Sequence, residues 1–256
     1  MRLWQCFSFL LVNLLFFQDL GFAKELLNSA PKINLALGDT FLVPNNNPSN
    51  PERLEENQSL TVSTPYSLVT AKESFLEVSN LSSESQFTLR LGQSTGIEIR
   101  DPFHLFLFKG SALIADLESN SWTIESNMSQ LRMYGSGTYI IETTPIGFKV
   151  LLLEGKFTTN NKGSEEKILQ SGDLALITER DGRISQSLQI ELPLLLSTSR
   201  LVNYFSKPLA THSRLISAAQ VQVLRMQTKY DAFIGGVSED RKLRIWKLNS
   251  KKNKEE

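Results

Sequence analysis

Short apolar runs separated by glycines recur along the middle of this chain, and they constrain its fold more than any other feature. Phe87–Leu91 and Ile97–Arg100 alternate apolar and polar residues, which is the period of a half-buried strand. Phe103–Phe108 alternates only in part, as a more buried strand does. Further apolar runs are Tyr139–Glu142, Phe148–Leu153 and Ile168–Ile177. The intervening glycines are Gly92, Gly96, Gly110, Gly135, Gly137, Gly147, Gly155, Gly163, Gly172 and Gly182. Many short strands at this spacing predict a β-sandwich or barrel.

The hydrophobic period changes after residue 190. Leu195–Phe205 and Ser213–Tyr230 are predicted helices separated by Pro208, and Ser213 is the predicted N-cap of the second. Because soluble helices usually bury an apolar stripe, we expect the second helix to pack on the β body. Gly235-Gly236 is a predicted turn. The residues of the predicted stripe are Leu215, Ala219, Val223, Met226 and Tyr230.

The N-terminus has the pattern of a secretory signal peptide. Arg2 precedes the largely apolar run Leu3–Phe17, and Gly21-Phe22-Ala23 supplies the small residues of a cleavage site. The run is shorter than the about 20 apolar residues that a membrane-spanning helix needs. We therefore expect cleavage after Ala23 and export to the periplasm or the extracellular space. Retention of the segment as a membrane anchor is the alternative.

The charge and cysteine content limit which partners and disulfides this chain can have. The chain has 27 Lys and Arg residues and 27 Asp and Glu residues, whereas a general nucleic-acid binder needs a surplus of positive charge to neutralise phosphates. Cys6 is the only cysteine and would leave with the signal peptide, so no internal disulfide is expected. We expect no nucleic-acid partner, and a membrane partner only if the N-terminal segment is uncleaved.

Composition divides the chain into four predicted parts. The stretch Pro44–Pro51 and the charged residues after it bury too little apolar surface to order themselves, although Ile33–Val43 has the composition of a strand pair turning at Gly38-Asp39. The parts are a signal peptide at 1–23, a flexible segment at 24–59, a β domain at 60–190 and a helical C-terminal region with a basic tail at 191–256.

A series of glycine-containing motifs runs through Leu60–Ser187. They are LRLGQS at 89–94, FKGSALIA at 108–115, WTIES at 122–126, GTYII at 137–141, VLLLEGKFTT at 150–159 and LQSGDLALI at 169–177. This series resembles the FecR-type domain, the exported sensor domain of bacterial iron-uptake regulators. The resemblance implies a mainly β fold of β-sandwich, jelly-roll type, to which the predicted helices add a C-terminal appendage. It brings no catalytic residues, because the signature positions of the family are structural.

The chain departs from this family at its N-terminus. A FecR-type regulator has a cytoplasmic anti-sigma segment before its membrane helix, but only Arg2 precedes the apolar run here, so we expect the exported domain without that segment.

Gly137 is predicted to lie in a turn leading into a core strand, in a backbone conformation or a close contact that excludes a side chain.

One catalytic motif is present by spacing. Gly92-Gln93-Ser94-Thr95-Gly96 matches G-x-S-x-G, the nucleophile elbow of α/β-hydrolases, which places its serine on a strand-to-helix turn near a histidine and an acid. A strand-like run follows Ser94 instead of a helix, and the same residues suit a β-hairpin turn. We expect no enzyme activity, and a secreted serine hydrolase using this turn is kept as an alternative.

Metal and cofactor sites are not predicted. His104 and His212 are far apart in sequence, and neither H-E-x-x-H nor C-x-x-C occurs. We therefore assign no catalytic, cofactor-binding or metal-binding residue, and we expect His104 to point to the less apolar face of its strand.

These exclusions favour a non-catalytic binding or signalling module of the cell envelope. Its expected partner is an envelope protein or a polysaccharide, bound through the β domain. Trp122, Tyr134 and Trp246 are candidate exposed anchors, because aromatic side chains bury large areas at interfaces. A membrane-anchored signalling component that keeps its N-terminal helix is a further alternative.

Overall fold

The protein is mainly β-stranded, with helices near its C-terminus. The computed structural model describes residues 31–61, 63–79, 87–159, 166–178, 184–229, 232–237 and 243–248. The first eight strands are β1 (Lys32–Leu37), β2 (Thr40–Pro44), β3 (Glu52–Arg53), β4 (Tyr66–Thr70), β5 (Phe75–Ser79), β6 (Phe87–Leu91), β7 (Gly96–Asp101) and β8 (His104–Lys109). They are followed by β9 (Ser111–Glu125), β10 (Gln130–Thr144), β11 (Gly147–Thr159), β12 (Lys167–Gln170), β13 (Asp173–Ile177) and β14 (Ile184–Gln189). The helices are α1 (Leu192–Thr198), α2 (Arg200–Asn203) and α3 (His212–Lys229), and a separate hairpin comprises β15 (Ala232–Val237) and β16 (Leu243–Leu248).

Three long strands, β9, β10 and β11, belong to both halves of the main sheet. β9 pairs with β6 near its start and with β8 near its end. β11 pairs with β13 near its start and with β12 near its end, and β10 lies between β9 and β11. We call the half with β1, β5, β6, β13 and β14 the covered layer. The half with β2, β3, β4, β7, β8 and β12 is the open layer.

The two layers enclose one apolar core. Leu89 of the covered layer and Leu105 of the open layer belong to the same buried cluster. Trp122 lies at its centre, with its ring centroid 5.1 Å from that of Phe87 and 6.3 Å from that of Tyr139. This arrangement confirms the predicted β-sandwich-like fold with a helical appendage.

A second apolar core lies between the covered layer and the helices. Strand residues on both faces of the covered layer are therefore buried, which explains why ALIA at 112–115 and VLLL at 150–153 are continuous apolar runs rather than alternating ones. The strands contribute Leu113, Ala115, Ile140, Leu151 and Leu153 to this core, and the helices and their connections contribute Leu192, Leu196, Leu201, Leu209, Leu215 and Ala219.

The buried face of α3 differs from the predicted stripe at one position. Leu215 is buried as predicted, but Val223 is exposed and Gln222 takes the inward position. The Gln222 side chain accepts the Leu192 backbone N–H at 2.7 Å and donates to the Ile190 carbonyl at 2.6 Å. The Gln222 amide faces inward because these two backbone groups need hydrogen-bond partners. The predictions for Met226 and Tyr230 concern side chains outside the described residues.

Three predicted boundaries in this region are wrong. The run Leu195–Phe205 is divided into α1 and α2 because Ser199 has an extended backbone, with φ −71° and ψ 118°. α3 begins at His212, so Ser213 lies in its first turn rather than at its N-cap. Gly235-Gly236 lies within β15 rather than in a turn. In the part of the chain that the structure describes, no helix is both long and apolar enough to cross a membrane.

The β domain begins near residue 32 rather than at residue 60. β1 and β2 occupy the region predicted as a strand pair, but β1 pairs with β5 and β2 pairs with β4. Leu54 and Leu60 are each only 3% exposed in the core. The described part of segment 24–59 therefore packs on the domain, because these spaced apolar residues anchor an otherwise polar stretch. The predicted signal peptide and the basic end of the tail lie outside the described residues.

A buried ion pair attaches the helices to the covered layer. Arg90 Nε on β6 lies 2.7 Å from Glu77 Oε2 on β5, and both side chains are almost fully buried. The Arg90 guanidinium also lies 4.2 Å from the ring centroid of Phe205. Burial lowers the pKa of Arg90, and the hydrogen bond and charge of Glu77 oppose that shift. The remaining donors of Arg90 bind the carbonyls of Leu201, Val202 and Lys207.

A second polar contact holds the start of α3. Thr211 and Thr138 share a hydrogen bond of 2.6 Å between their hydroxyls, and Thr138 donates to Glu154 Oε1 at 2.9 Å. Arg214 Nε lies 3.1 Å from Glu154 Oε2. Burial raises the pKa of Glu154, whereas Thr138 and Arg214 stabilise its carboxylate and oppose the shift. The helical cover is thus fixed by directional contacts as well as by apolar packing.

β10 and β11 approach each other closely at Gly137 and Gly155, which lie opposite each other. Gly137 has φ +150°, and a Cβ there would lie 2.2 Å from the Glu154 carbonyl oxygen. Gly155 has φ +96°, and a Cβ there would lie 2.2 Å from the Ser136 carbonyl oxygen. Gly137 is inside β10 rather than in the predicted turn, but the prediction that its surroundings exclude a side chain is confirmed.

Replacing Gly137 with valine should lower the free energy of unfolding by about 1–3 kcal/mol, because the side chain strains the backbone against β11. Ser94→Ala on an exposed turn is the control and should change it by no more than about 0.5 kcal/mol. Thermal melts of both variants measure the difference. Equal melting temperatures would contradict the close approach of the two strands.

Replacing Arg90 with methionine should cost about 3–5 kcal/mol of unfolding free energy, because Glu77 is left as an uncompensated buried charge. The double variant Arg90→Met/Glu77→Gln should lose less than the sum of the two single variants, with a coupling energy of about 0.5–3 kcal/mol. Urea unfolding of the parent and the three variants measures this coupling. Additive losses would show that the two side chains act independently.

Candidate functional site

The serine of the G-x-S-x-G motif lies on an exposed turn between the two layers. This turn joins β6 in the covered layer to β7 in the open layer, so it is not the predicted hairpin turn. The Thr70 hydroxyl donates to the Gly92 carbonyl at 2.5 Å, and the Thr95 hydroxyl donates to the Ser111 carbonyl at 3.1 Å, which fixes the crossing. Ser94 is followed at once by a strand, where a nucleophile elbow requires a helix. The motif therefore lacks the context of a hydrolase.

The three candidate aromatic anchors have different outcomes. Trp122 is fully buried, which contradicts its predicted exposure, because it lies on the inward face of β9. Its indole N–H donates to Asp116 Oδ2 at 2.7 Å, and Asn120 also donates to this carboxylate. Burial raises the pKa of Asp116, and these hydrogen bonds oppose the shift. Tyr134 is 56% exposed, as an anchor requires, and the Trp246 side chain lies outside the described residues.

The outer surface of the open layer differs from that of the covered layer. None of the described helices contributes to a core cluster with it. Inward positions of β7 and β8 are buried, and the alternate positions point outward as a half-exposed set. We call this outer surface the open face. The outward residues of these two strands are Glu98, Arg100, His104, Phe106 and Phe108.

A polar cluster occupies one end of the open face, around Glu125. Arg100 and Gln130 donate to its two carboxylate oxygens, the latter at 2.6 Å. His104 Nε2 lies 3.2 Å from Glu125 Oε1, outside hydrogen-bond geometry, and Arg100 Nε lies 3.2 Å from Glu98 Oε1. His104 is therefore on the less apolar face of its strand, as predicted. One arginine thus lies between two carboxylates in this cluster.

A stack of planar groups extends from this cluster along β8. The Arg100 guanidinium lies 4.5 Å from the Phe106 ring centroid, and the Phe106 and Phe108 centroids are 4.8 Å apart. Phe108 forms the free end of the stack and is 47% exposed. Apart from His104, the sequence interpretation did not single out the residues of this end of the open face. These residues occupy alternate positions of their strands in the sequence. Alternation alone does not show which face of a strand meets solvent.

A groove of about 230 Å³ lies beside the polar cluster, at the turn between β9 and β10. Ser126 Oγ accepts the backbone N–H groups of Met128 and Ser129 and so holds the turn. Among the described residues, no three His, Cys, Asp or Glu side chains gather in a way that suits a metal ion. Charged, hydroxyl and aromatic groups at an open surface suit the binding of a partner. The groove is lined by Glu125, Ser126, Asn127, Ser129 and Gln130.

Comparisons with known proteins give little beyond weak structural likeness. No family model matches the chain, and no curated protein matches it. Two crystal structures of a candidate anti-sigma factor from Parabacteroides distasonis ATCC 8503, at 2.50 Å and 1.65 Å resolution, align with TM-scores of 0.40 and 0.39. Each is 9% identical in sequence, and each alignment covers 72% of this chain and 99% of the other. At these TM-scores the likeness carries no argument about fold or function.

Arg100→Ala and Phe108→Ala should each lower the free energy of unfolding by less than about 1 kcal/mol, because both side chains are partly exposed and partly screened by water. Urea unfolding of the two variants measures this loss. A loss of several kcal/mol would show that the stack supports the fold and is not available to a partner.

Proposed function

We propose that this chain is an exported, non-catalytic binding or signalling module of the cell envelope that contacts its partner through the open face. The partner is an envelope protein or polysaccharide. The observation that carries the proposal is the asymmetry between the outer surfaces of the sandwich. The outer surface of the covered layer is buried by the helices, while the open face presents Phe108 and Tyr134 to solvent.

Large exposed aromatic side chains favour a partner, because their burial releases water from apolar surface. The pairing of Arg100 with Glu98 and Glu125 holds polar groups in place before a partner arrives, which reduces the entropy lost on binding. Export is supported by the pattern of residues 1–23. The motif series that resembles the FecR-type domain supports a role without catalysis.

Replacing Phe108 with a photo-reactive benzoyl-phenylalanine should yield a cross-linked adduct in cells that export the protein. The matched control carries the same group at Tyr204, which is 51% exposed on the helical side, and should yield none. Gel electrophoresis of the exported protein detects the adduct.

N-terminal sequencing of the exported protein should give a sequence that begins at Lys24, because cleavage is expected after Ala23.

Three results would contradict parts of this proposal. An adduct only from Tyr204 would place the partner on the helices, and intact Met1 at the membrane would favour the membrane-anchored component. Esterase activity that disappears in Ser94→Ala would favour the hydrolase. Each result tests a different element of the proposal.

A further inference from the structure

The open layer ends in two edge strands, β3 and β12. β3 comprises only Glu52 and Arg53, and both residues are charged. β12 is longer, and among the described strands it pairs only with β11. An edge strand directs half of its main-chain N–H and C=O groups away from the sheet, where another strand can bind them. The outer edge of β12 is therefore the longer template for such pairing on this layer.

The hydrogen bonds around β12 show which of its main-chain groups point outward. The Lys167 N–H donates to Thr159 Oγ1 of β11 at 3.2 Å, and the Thr159 hydroxyl donates to the Lys167 carbonyl at 3.1 Å, so both groups of Lys167 face β11. The Gln170 N–H instead donates to Asp173 Oδ2 at 2.7 Å. In an antiparallel ladder this orientation alternates along the strand. The N–H and C=O groups of Ile168, and the C=O group of Gln170, therefore point away from β11.

The charged residue of β12 does not block this edge. A lysine on an edge strand commonly prevents pairing by projecting over the unpaired groups. The Lys167 side chain turns towards the covered layer instead, where its Nζ donates to the Ile184 carbonyl of β14 at 2.8 Å. Asp173 occupies the Gln170 N–H, which limits an added strand to the part of the edge centred on Ile168.

The side chains next to this edge also suit an added strand. Ile168 pairs in register with Thr158 of β11, which pairs with Tyr134 of β10, so these three side chains form one row on the open face. Ile168 is 51% exposed, and Tyr134 is exposed to a similar extent. Their neighbours Phe157 and Leu169 pair with each other and point into the core. An added strand would continue the exposed row and place one of its side chains beside Ile168.

We propose that the outer edge of β12 binds an extended segment of a partner protein, which adds to the open layer as a further strand. Outward main-chain N–H and C=O groups at strand spacing are matched by another polypeptide backbone, whereas the hydroxyls of a polysaccharide supply no such ladder. The exposed Ile168 side chain favours an apolar or β-branched residue opposite it.

A second copy of this chain is a poorer occupant of the edge. Two copies joined only by their four-residue β12 edges would form a small interface compared with the about 1,200 Å² that a stable complex buries. A partner protein can cover the adjoining open face as well. The inference rests on the proposed binding function and names a protein as the partner class.

Hydrogen exchange in the purified exported chain tests the orientation of the edge. The Ile168 amide should exchange at least about tenfold faster than the Leu169 amide, because the Ile168 N–H meets solvent and the Leu169 N–H is bonded to β11. Equal protection of the two amides would show that the edge is already paired and would overturn the inference.

Replacing Gln170 with photo-reactive benzoyl-phenylalanine should yield an adduct in cells that export the protein, because this side chain is exposed on β12. The same group at Glu52 of β3, on the opposite edge of the open layer, is the matched control and should yield none. Mass spectrometry of the digested adduct should find a peptide of another protein attached at position 170.

Two substitutions test whether the main chain of Ile168 makes the contact. Ile168→Pro removes the outward N–H but keeps the bonds to β11, and it should lower the adduct yield at Gln170 by about fivefold, the scale of one hydrogen bond. Ile168→Thr keeps the N–H and a β-branched side chain, and it should change the yield by less than about twofold. Thermal melts of both variants should stay cooperative, because an edge strand accepts proline where its N–H faces outward.

Four outcomes would overturn the inference: loss of folding in Ile168→Pro, equal adduct yields from Ile168→Pro and Ile168→Thr, an attached glycan, or an adduct of twice the mass of the chain, which would assign the edge to a second copy. Failure of the proposed function is distinguishable from these outcomes. An adduct at Phe108 with none at Gln170 would keep the open face as a binding surface and remove only strand addition. Absence of both adducts would remove the surface as well.

Discussion

The contact between the backbones of β10 and β11 at Gly137 and Gly155 is the constraint on which the rest of the structure depends. These strands belong to both layers, so they must bend and cross while staying paired. A side chain at either position would meet the carbonyl oxygen of the facing strand at 2.2 Å. Removing the Cβ allows the close approach, and the sheet folds over itself without a break between the layers.

Folding the sheet in this way creates two outer surfaces, and the helices cover only one of them. The covered layer has apolar residues on both faces and is completed by α1 to α3. Arg90 and Glu154 fix the position of the helices on this layer, because each binds groups from the helical region with directional hydrogen bonds. The buried charges are costly to desolvate, so they contribute orientation more than net stability.

The open face keeps polar and aromatic groups at its outward positions, and this division gives it two chemically distinct ends. Around Glu125, Arg100 pairs with two carboxylates, and the Arg100–Phe106–Phe108 stack ends in an exposed ring. Around Tyr134, an exposed aromatic ring lies between Ser121 of β9 and Thr158 of β11, which pair with it in register.

The sequence by itself determined the mainly β class, the positions of β6 to β8, the helical change after residue 190 and the need for glycine at 137, because these depend on local periodicity and backbone sterics. Only the tertiary structure decided which strands pair, that β1 and β2 join the domain, and that Trp122 faces inward while Tyr134 faces out. An alternating strand has two faces, and its own residues do not say which is buried when the partners are far away in sequence. The layers and helices that cover one face settle that choice, and so they also decide where a binding surface remains.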